Sequence, residues 1–265
     1  MYSYFTLARK YIYYWFTSSN NKGHGVHSPF VFDFITSILN DKKEQPPFII
    51  IEQLRSQLYK NNSFIEVEDF GAGSGLIKSN KRRIDKIAKS SLKPKKYAQL
   101  LYRIVQYYKP ETIIELGTSF GLTTAYLAKA NETSTIFTFE GSKSIANISV
   151  QHFKELTLNN VNISIGEFSS TLPEFISKKP SIDFAFIDGN HRKKPTLDYF
   201  KQLLPLTNEK SIIIFDDIHW SPEMESAWNE IKQHPSVTLT IDLFFIGLVF
   251  FKNDFKVKQH FTIQF

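Results

Sequence analysis

The stretch Thr112–Gly121, TIIELGTSFG, decides the fold. Its first part, Thr112–Leu116, is rich in β-branched and apolar side chains and predicts a buried strand, after which Gly117 opens a turn. A helix is expected over Thr123–Lys129 and a second strand over Thr135–Phe139. A strand, a glycine-bearing turn, a helix and a second strand form a βαβ unit, and this connection predicts two parallel strands.

The same alternation of strands and helices continues to residue 233. Further strands are predicted at Asn162–Ile165, Ile182–Ile187 and Ser211–Phe215, and further helices at Ser142–Leu158, Lys194–Leu204 and Pro222–Gln233. Two β-rich runs, Val237–Leu243 and Leu248–Lys252, are then separated by too few residues for a helix and predict an antiparallel hairpin. We therefore expect an α/β fold with a doubly wound, mostly parallel sheet of seven strands and a terminal antiparallel hairpin.

The first 110 residues have a different character. Prolines at positions 29, 46, 47 and 94 precede apolar stretches, which predicts helices that begin at or just after them. Residues 1–110 hold 18 Lys and Arg against 8 Asp and Glu, whereas residues 111–265 hold 14 against 18. We therefore predict a helical N-terminal extension over 1–110, facing a substrate or an oligomer partner, and a catalytic domain over 111–265.

Composition excludes several classes of protein. The 265 residues include 25 Phe, 12 Tyr and 3 Trp, enough apolar material for a large core, so bulk disorder is excluded. There is no Cys, which excludes disulfides, thiolate metal sites and a Cys nucleophile. The longest apolar run, Leu243–Phe251, is about half of a membrane span, and no export signal is visible. We expect a cytoplasmic protein without a membrane segment.

Two glycine-rich segments compete as a cofactor-binding turn. Val67–Gly75 contains Gly71, Gly73 and Gly75, but a mostly charged stretch follows it, and no second strand ending in an acid comes after it. It is interpreted as a glycine turn between helices. The turn Gly117–Gly121 lies inside a complete βαβ unit, where glycine lets the backbone approach a ligand closely.

The acids that flank the second turn indicate which ligand it binds. Glu140 follows Gly117 by 23 residues, a spacing that places a carboxylate over a ribose. Glu115, two residues before Gly117, suggests an acid near the cationic end of a ligand. The turn lacks the third glycine of a dinucleotide-binding motif, so an NAD-dependent dehydrogenase is disfavoured. The alternative is an ordinary βαβ turn with an exposed Glu.

Three further acids follow the last two parallel strands. Asp188 comes directly after the strand Ile182–Ile187, and Asp216 and Asp217 come after Ser211–Phe215. Carboxylates that converge at one edge of a sheet repel unless a cation or proton bridges them, and oxygen ligands suit Mg²⁺, Ca²⁺ or Mn²⁺. The alternative is a set of solvated acids at strand ends.

Four motifs occur together in one order: ELGTSFGLTTAYLA, TFE ending at Glu140, DFAFIDGNH ending at His191, and IIIFDDIHW ending at Trp220. In this order they resemble the class I S-adenosylmethionine (SAM)-dependent methyltransferases, and within them the O-methyltransferases of the catechol O-methyltransferase type. The resemblance covers residues 111–252. It implies SAM as cofactor, bound by Glu115, Gly117, Thr118, Ser119, Gly121, Glu140 and Asp188.

The resemblance also implies a metal-assisted site. In the metal-dependent O-methyltransferases, acids after these two strands hold a divalent cation beside an Asn; Asp188 and Asp216 match the acids, and Asp217 replaces the Asn. The metal would bind substrate oxygens and lower the pKa of the attacking one. The family's Lys base is replaced by His191, whose neutral imidazole can act as a base. The implied catalytic residues are therefore Asp188 and His191.

The sequence leaves other functions open beside O-methylation of a small molecule. Residues 78–96 carry nine Lys and Arg against one acid, which would recruit RNA or a protein as acceptor, or would form only a solvated helical face. A methyltransferase-like binding domain without turnover is a further alternative. The aromatic N-terminus (Tyr2–Phe16) would pack on the core or across a homodimer interface, and Gly23–Pro29 would be a turn, a metal-binding segment or a lid.

Overall fold

Helices and strands alternate through most of the chain. A computed structural model describes residues 1–23, 25–67, 81–178 and 181–265. The helices are α1 (Tyr4–Thr17), α2 (Pro29–Asp33), α3 (Pro46–Lys60), α4 (Ile84–Ser91), α5 (Lys95–Tyr108), α6 (Leu122–Ala130), α7 (Lys143–Glu155), α8 (Phe168–Ser177), α9 (Lys193–Leu203) and α10 (Pro222–Gln233). A π-helix (Phe34–Leu39) continues α2, and a 3₁₀-helix (Leu204–Leu206) follows α9.

The strands confirm the predicted mostly parallel α/β fold. They are β1 (Phe64–Glu66), β2 (Lys81–Arg83), β3 (Thr112–Leu116), β4 (Thr135–Glu140), β5 (Val161–Ile165), β6 (Ile182–Ile187), β7 (Thr207–Asp216), β8 (Leu239–Asp242), β9 (Ile246–Phe250) and β10 (Gln259–Thr262). The predicted terminal hairpin is the antiparallel pair β8–β9. Eight strands, β3 to β10, replace the expected seven, because β10 was not predicted: its four residues alternate between half-buried and exposed and carry little apolar signal.

The described residues form two compact units, Met1–Asp41 with Pro180–Phe265 and Lys42–Lys179. The predicted division at residue 110 stays a prediction about function. The predicted N-terminal helices are present as α2, α3 and α5, but the region also contains the antiparallel pair β1–β2. The segment Val67–Gly75 falls outside the described residues from position 68 onward.

In the unit Lys42–Lys179, three parallel strands are ordered β3-β4-β5. Strand β3 is buried along its length except at its first residue, as its apolar sequence predicts. The register opposes Glu115 to Thr138 and Leu116 to Phe139, so β3 and β4 end side by side. This register determines which side chains meet beside the glycine turn.

In the unit that holds both ends of the described chain, five strands are ordered β10-β8-β9-β7-β6. Strands β6 and β7 are parallel, and Ile187 is opposite Phe215. The side chain of Trp228 packs against β9, where a Cβ on Gly247 would lie 2.7 Å from its ring. Glycine is therefore required there by close approach rather than by backbone conformation.

Helix α1 belongs to this same unit. Tyr11 and Tyr14 pack against Phe244, with ring centroids 5.0 and 5.2 Å apart. The Tyr14 hydroxyl donates to the carbonyl of Ile263, and the Ser19 amide donates to the carbonyl of Thr262 at 2.9 Å. Part of the predicted aromatic N-terminus thus packs on the core. Among the described residues, no helix is both long enough and apolar enough to cross a lipid bilayer.

Candidate functional site

The turn between β3 and α6 is held close to the end of β4. The backbone amides of Gly117 and Thr118 both donate to the carbonyl of Phe139, at 3.0 and 3.1 Å. Gly117, Ser119 and Gly121 have φ angles of 108°, 48° and 79°, a series of positive values that reverses the chain within five residues. The backbone between two parallel strands is thereby fixed before any ligand binds.

Gly121 ends this turn as the residue preceding α6. A Cβ at this position would lie 2.5 Å from the ring of Phe153 and 3.1 Å from Ser149. Both its positive φ and this close approach of α7 require glycine. The glycine predicted from the sequence thus has a structural reason that does not depend on a cofactor.

Glu140, the last residue of β4, faces the turn. One carboxylate oxygen accepts from the Ser119 amide at 2.8 Å, and the other accepts from the Ser142 amide at 2.9 Å. Burial raises the pKa of Glu140 above its ordinary value, and the hydrogen bonds from the Ser142 and Ser119 amides oppose that rise. Each oxygen has further acceptor capacity, so the carboxylate is fixed in place yet able to accept hydroxyl groups.

Glu115 lies beneath the turn and is completely buried. Its Oε2 accepts hydrogen bonds from the Thr124 hydroxyl and, at 2.6 Å, from the Thr138 hydroxyl. Its Oε1 is buried without a hydrogen-bond partner among the described residues. Burial raises the pKa of Glu115 to about 7, so the carboxyl group is partly protonated near neutral pH.

Thr118 and Ser119 direct their hydroxyls toward the protein. The Thr118 hydroxyl lies 2.6 Å from that of Thr138, and the Ser119 hydroxyl lies 2.8 Å from that of Ser91. Their backbone groups, rather than their side chains, are what the turn presents to a ligand. The structure thus brings six of the seven sequence-predicted cofactor residues together; the seventh, Asp188, belongs to a separate group of side chains.

His152 was missed by the sequence analysis. Its Nδ1 lies 2.8 Å from the carbonyl of Phe120, in the middle of the turn. Burial lowers the pKa of His152, and the hydrogen bond to Phe120 opposes that effect. Its position on α7, more than thirty residues after the turn, carries no sequence signal that links the two.

Asp188, His191 and Asp216 form the second group of side chains. Asp188 follows β6 directly and Asp216 ends β7, so the parallel register brings the two carboxylates to the same edge of the sheet. One ligand atom from each of the three residues lies within 4.8 Å of the others. Asp216 is almost completely buried, while Asp188 and His191 are half-buried.

The ring of His191 lies between two carboxylates. Its Nε2 is 3.4 Å from Oδ1 of Asp188, and its Nδ1 is 3.9 Å from Oδ2 of Asp217. Asp217 has a φ of 52°, and its carbonyl accepts from the Trp220 amide in a turn. This donor set of oxygen and imidazole nitrogen fits a divalent cation. Asp217 lies outside the group of three, and its predicted role as a ligand stays a prediction.

His219, three residues after Asp216, lies in a polar network. Its Nδ1 is 3.0 Å from Glu225 and its Nε2 is 2.8 Å from Asp242. Burial alone would lower the pKa of His219, but Asp242 and then Glu225 raise it above its ordinary value. Tyr2 and Lys10 also donate to Glu225, at 2.7 and 2.9 Å. These contacts hold α1 against α10, which is a structural role.

Residues 114–218 match the family model of a methyltransferase domain. Among curated proteins, an uncharacterized protein of Acanthamoeba polyphaga mimivirus is 33% identical over 85 residues, which are 31% of this chain and 34% of that protein. The match thus spans about a third of the length of that relative. Residues 114–218, which the family model matches, contain the glycine turn, Glu140, Asp188, His191 and Asp216.

Solved structures extend the similarity of fold to most of the chain. A methyltransferase of Podospora anserina with bound S-adenosylhomocysteine has a TM-score of 0.59 at 13% identity, covering 96% of this chain and 98% of that one. The Bacillus cereus O-methyltransferase with S-adenosylhomocysteine has 0.56 at 19% identity, covering 83% and 97%. The O-methyltransferase TomG of Streptomyces achromogenes, solved with SAM, has 0.57 at 15% identity, covering 84% and 95%. Residues 114–218 thus match a methyltransferase domain, and the chain has the Rossmann-like fold that these methyltransferase structures share.

Proposed function

We propose that this protein is a SAM-dependent O-methyltransferase that acts on a hydroxyl group of a small-molecule acceptor with the help of a divalent metal. The observation that carries the proposal is the glycine turn closed on Glu140 within the matched methyltransferase domain. The Bacillus cereus and Streptomyces achromogenes O-methyltransferases, which share the fold, support the choice of oxygen as acceptor.

The residues of the glycine turn fit SAM. The fixed carboxylate of Glu140 accepts hydrogen bonds from both ribose hydroxyls, and the turn Gly117–Gly121 lets the cofactor approach the backbone. The buried Oε1 of Glu115, which has no partner among the described residues, is an acceptor suited to the cationic end of the cofactor. Bound SAM would supply a sulfonium methyl group for transfer to an acceptor oxygen.

The second group of side chains is proposed to orient and activate the methyl acceptor. Asp188 and His191 are the proposed catalytic residues, and Asp188, Asp216 and Asp217 are the proposed metal residues. A divalent metal held there supplies positive charge that lowers the pKa of an acceptor hydroxyl. The carboxylates orient the acceptor, and the imidazole lies within ion-pair distance of both Asp188 and Asp217. Asp188 is also a proposed cofactor-binding residue.

A small molecule is favoured over RNA as the acceptor. Within the basic stretch, Arg83 and Lys89 both pair with Asp85, at 2.9 and 3.3 Å. Proteins that bind single-stranded RNA stack its bases on aromatic side chains. No aromatic residue is interleaved with the basic residues at 78–96. RNA or protein acceptors and a non-catalytic binding role remain the alternatives that the experiments below separate.

A homodimer is the proposed macromolecular partner. The outer face of α1 exposes large apolar side chains at helical spacing, among them Phe5, Ile12 and Phe16 at 81%, 56% and 82%. Burial of such a face against a second copy would remove it from water. Light scattering should show a dimer that Phe5→Ser with Phe16→Ser converts to a monomer; a wild-type monomer would remove this partner. A cytoplasmic location stays a prediction.

Calorimetric titration of S-adenosylhomocysteine, with and without a divalent metal, tests the cofactor first. We expect a micromolar dissociation constant or better. Incubation with SAM and a panel of phenolic and catecholic acceptors, followed by mass spectrometry, should then show products heavier by one methylene group. Loss of turnover in excess chelator would support the metal. Cofactor binding without turnover on small molecules, RNA or protein would favour the non-catalytic alternative.

A further inference from the structure

The metal residues expected from the sequence supply only oxygen atoms, but the geometry adds a nitrogen. The three side chains that converge are Asp188, His191 and Asp216, with one ligand atom of each within 4.8 Å of the others. All-oxygen sites suit Mg²⁺, Ca²⁺ and Mn²⁺, whereas an imidazole ligand suits transition metals such as Fe²⁺, Ni²⁺ and Zn²⁺. The presence of His191 therefore changes the expected metal.

The two ring nitrogens of His191 have different neighbours. Nε2 points to Asp188, which shares the converging group, at 3.4 Å. Nδ1 points to Asp217, which lies outside that group, at 3.9 Å. Metal-binding histidines commonly present one ring nitrogen to the metal and the other to a carboxylate, which fixes the orientation of the ring. The arrangement of Asp188, His191 and Asp217 matches that pattern.

The position of His191 in the chain favours this orientation. Asn190, immediately before it, has a φ of 66°, and its side-chain oxygen accepts from Arg192 at 2.8 Å. This left-handed residue turns the chain back between β6 and α9, so that position 191 lies beside position 188 rather than extending away from it. The proximity of the imidazole to the carboxylates follows from the backbone of this loop.

We propose that His191 binds a divalent transition metal through Nε2 together with Asp188 and Asp216, while Asp217 orients the ring from its Nδ1 side. The inference rests on the metal assistance in the proposed function and goes beyond it, because it selects the metal and reassigns two residues. His191 then contacts the metal rather than removing a proton from the acceptor. Asp217 is a positioning residue rather than a ligand.

Metal titrations without SAM or acceptor test the selectivity. We expect the dissociation constant for Mn²⁺ to be at least about 10-fold lower than that for Mg²⁺ in the wild-type protein. His191→Gln should reduce this ratio to within about 3-fold by weakening Mn²⁺ binding. His260→Gln, which replaces an exposed histidine on β10, is the matched control and should leave both constants unchanged.

Electron spin echo spectroscopy of the Mn²⁺-loaded protein tests the ligand directly. We expect modulation from a directly bound ¹⁴N nucleus in the wild-type protein and in His260→Gln, and its loss in His191→Gln. Asp217→Asn should keep the nitrogen modulation but weaken Mn²⁺ binding by about 10-fold or more, as for other carboxylates that orient a metal-bound histidine. A purely structural role for Asp217 would instead lower the melting temperature and leave metal affinity unchanged.

Several outcomes would overturn the inference: Mg²⁺ binding as tight as Mn²⁺ binding, Mn²⁺ bound without nitrogen modulation, or no metal bound at all. Titration of S-adenosylhomocysteine into the same preparation separates this failure from that of the proposed function. Tight cofactor binding with an all-oxygen or absent metal would leave the methyltransferase proposal intact. Nitrogen-bound Mn²⁺ without cofactor binding would support the metal site and contradict the methyltransferase proposal.

Discussion

The glycine turn and the acid–imidazole group both follow parallel strands, yet the carboxylates of the two sites have different neighbours. At the turn, the carboxylate of Glu140 receives two backbone amides and is held in one position. In the acid–imidazole group, Asp188 and Asp216 converge beside the imidazole of His191, with one ligand atom of each within 4.8 Å of the others. In the first site backbone amides hold the carboxylate in place, whereas the second site has a donor set that fits a divalent cation.

The largest expected effect is a loss of turnover caused by a substitution in the acid–imidazole group. Asp216→Asn should lower turnover about 100-fold or more, because it removes a buried charge that would hold the metal, while S-adenosylhomocysteine affinity stays within about 2-fold. Steady-state rates and calorimetry measure the two quantities. Asp198→Asn, at an exposed ion pair with Lys194, is the control and should change neither. Equal loss of cofactor affinity would contradict a division of tasks between the sites.

At the glycine turn, Glu140→Ala should weaken S-adenosylhomocysteine binding by about 1–3 kcal/mol, since hydrogen bonds to a charged group are lost. Calorimetry measures the affinity, and circular dichroism checks that the variant folds, because the Ser119 and Ser142 amides also lose their acceptor. Glu174→Ala, an exposed acid on α8, is the matched control. Unchanged affinity in Glu140→Ala would remove the ribose role.

A smaller effect concerns the pH dependence of stability. The pKa of Glu115 is about 7 in the folded protein, above its ordinary value of 4.5, so the folded state binds more protons than the unfolded state between these pH values. Its contribution is therefore lost as pH rises through this interval. Relative to wild type, Glu115→Gln should gain stability between pH 5 and pH 8, measured by melting temperature at about 2–4 °C for each kcal/mol. A pH-independent difference would contradict a raised pKa.

The smallest expected effect compares the two glycine segments. Gly71→Ala and Gly73→Ala should leave SAM affinity unchanged, because the sequence indicates no βαβ unit around them. Gly121→Ala should destabilise the protein, since a Cβ there meets Phe153 and the φ is positive. Equilibrium binding and thermal unfolding measure these outcomes. A large loss of affinity in Gly71→Ala or Gly73→Ala would show that the wrong turn was chosen.

The sequence predicts the strands and the acids at their ends because both leave short-range signals. The apolar run Ile182–Ile187 and the following Asp188 are adjacent in the chain, and parallel register brings Asp216 to the same edge. The partners of Glu115 are a different case. Thr138 meets it across the β3–β4 register, and no local pattern specifies which residue will be opposite.

The same limit applies to the donor set of the second site. The substitution of His191 for the family's Lys was visible, but its orientation depends on left-handed residues at 190 and 217, which periodicity does not reveal. The pairing of His219 with Asp242 on β8 also has no local sequence signal, because the two residues are 23 positions apart in the chain. Pairings made by tertiary packing were therefore absent from the sequence-based account of the site.

The contacts of the first residues with the last strand have a consequence for synthesis. The Tyr2 amide donates to the Trp220 carbonyl, and Ser19 forms a bridge with Ile263. At about 5–20 residues per second, the ribosome makes these partners roughly 10–50 s after α1 has emerged. During that interval the aromatic helix lacks these native partners, so the nascent chain is a candidate for chaperone binding, and this unit is completed only after Ile263 has been made.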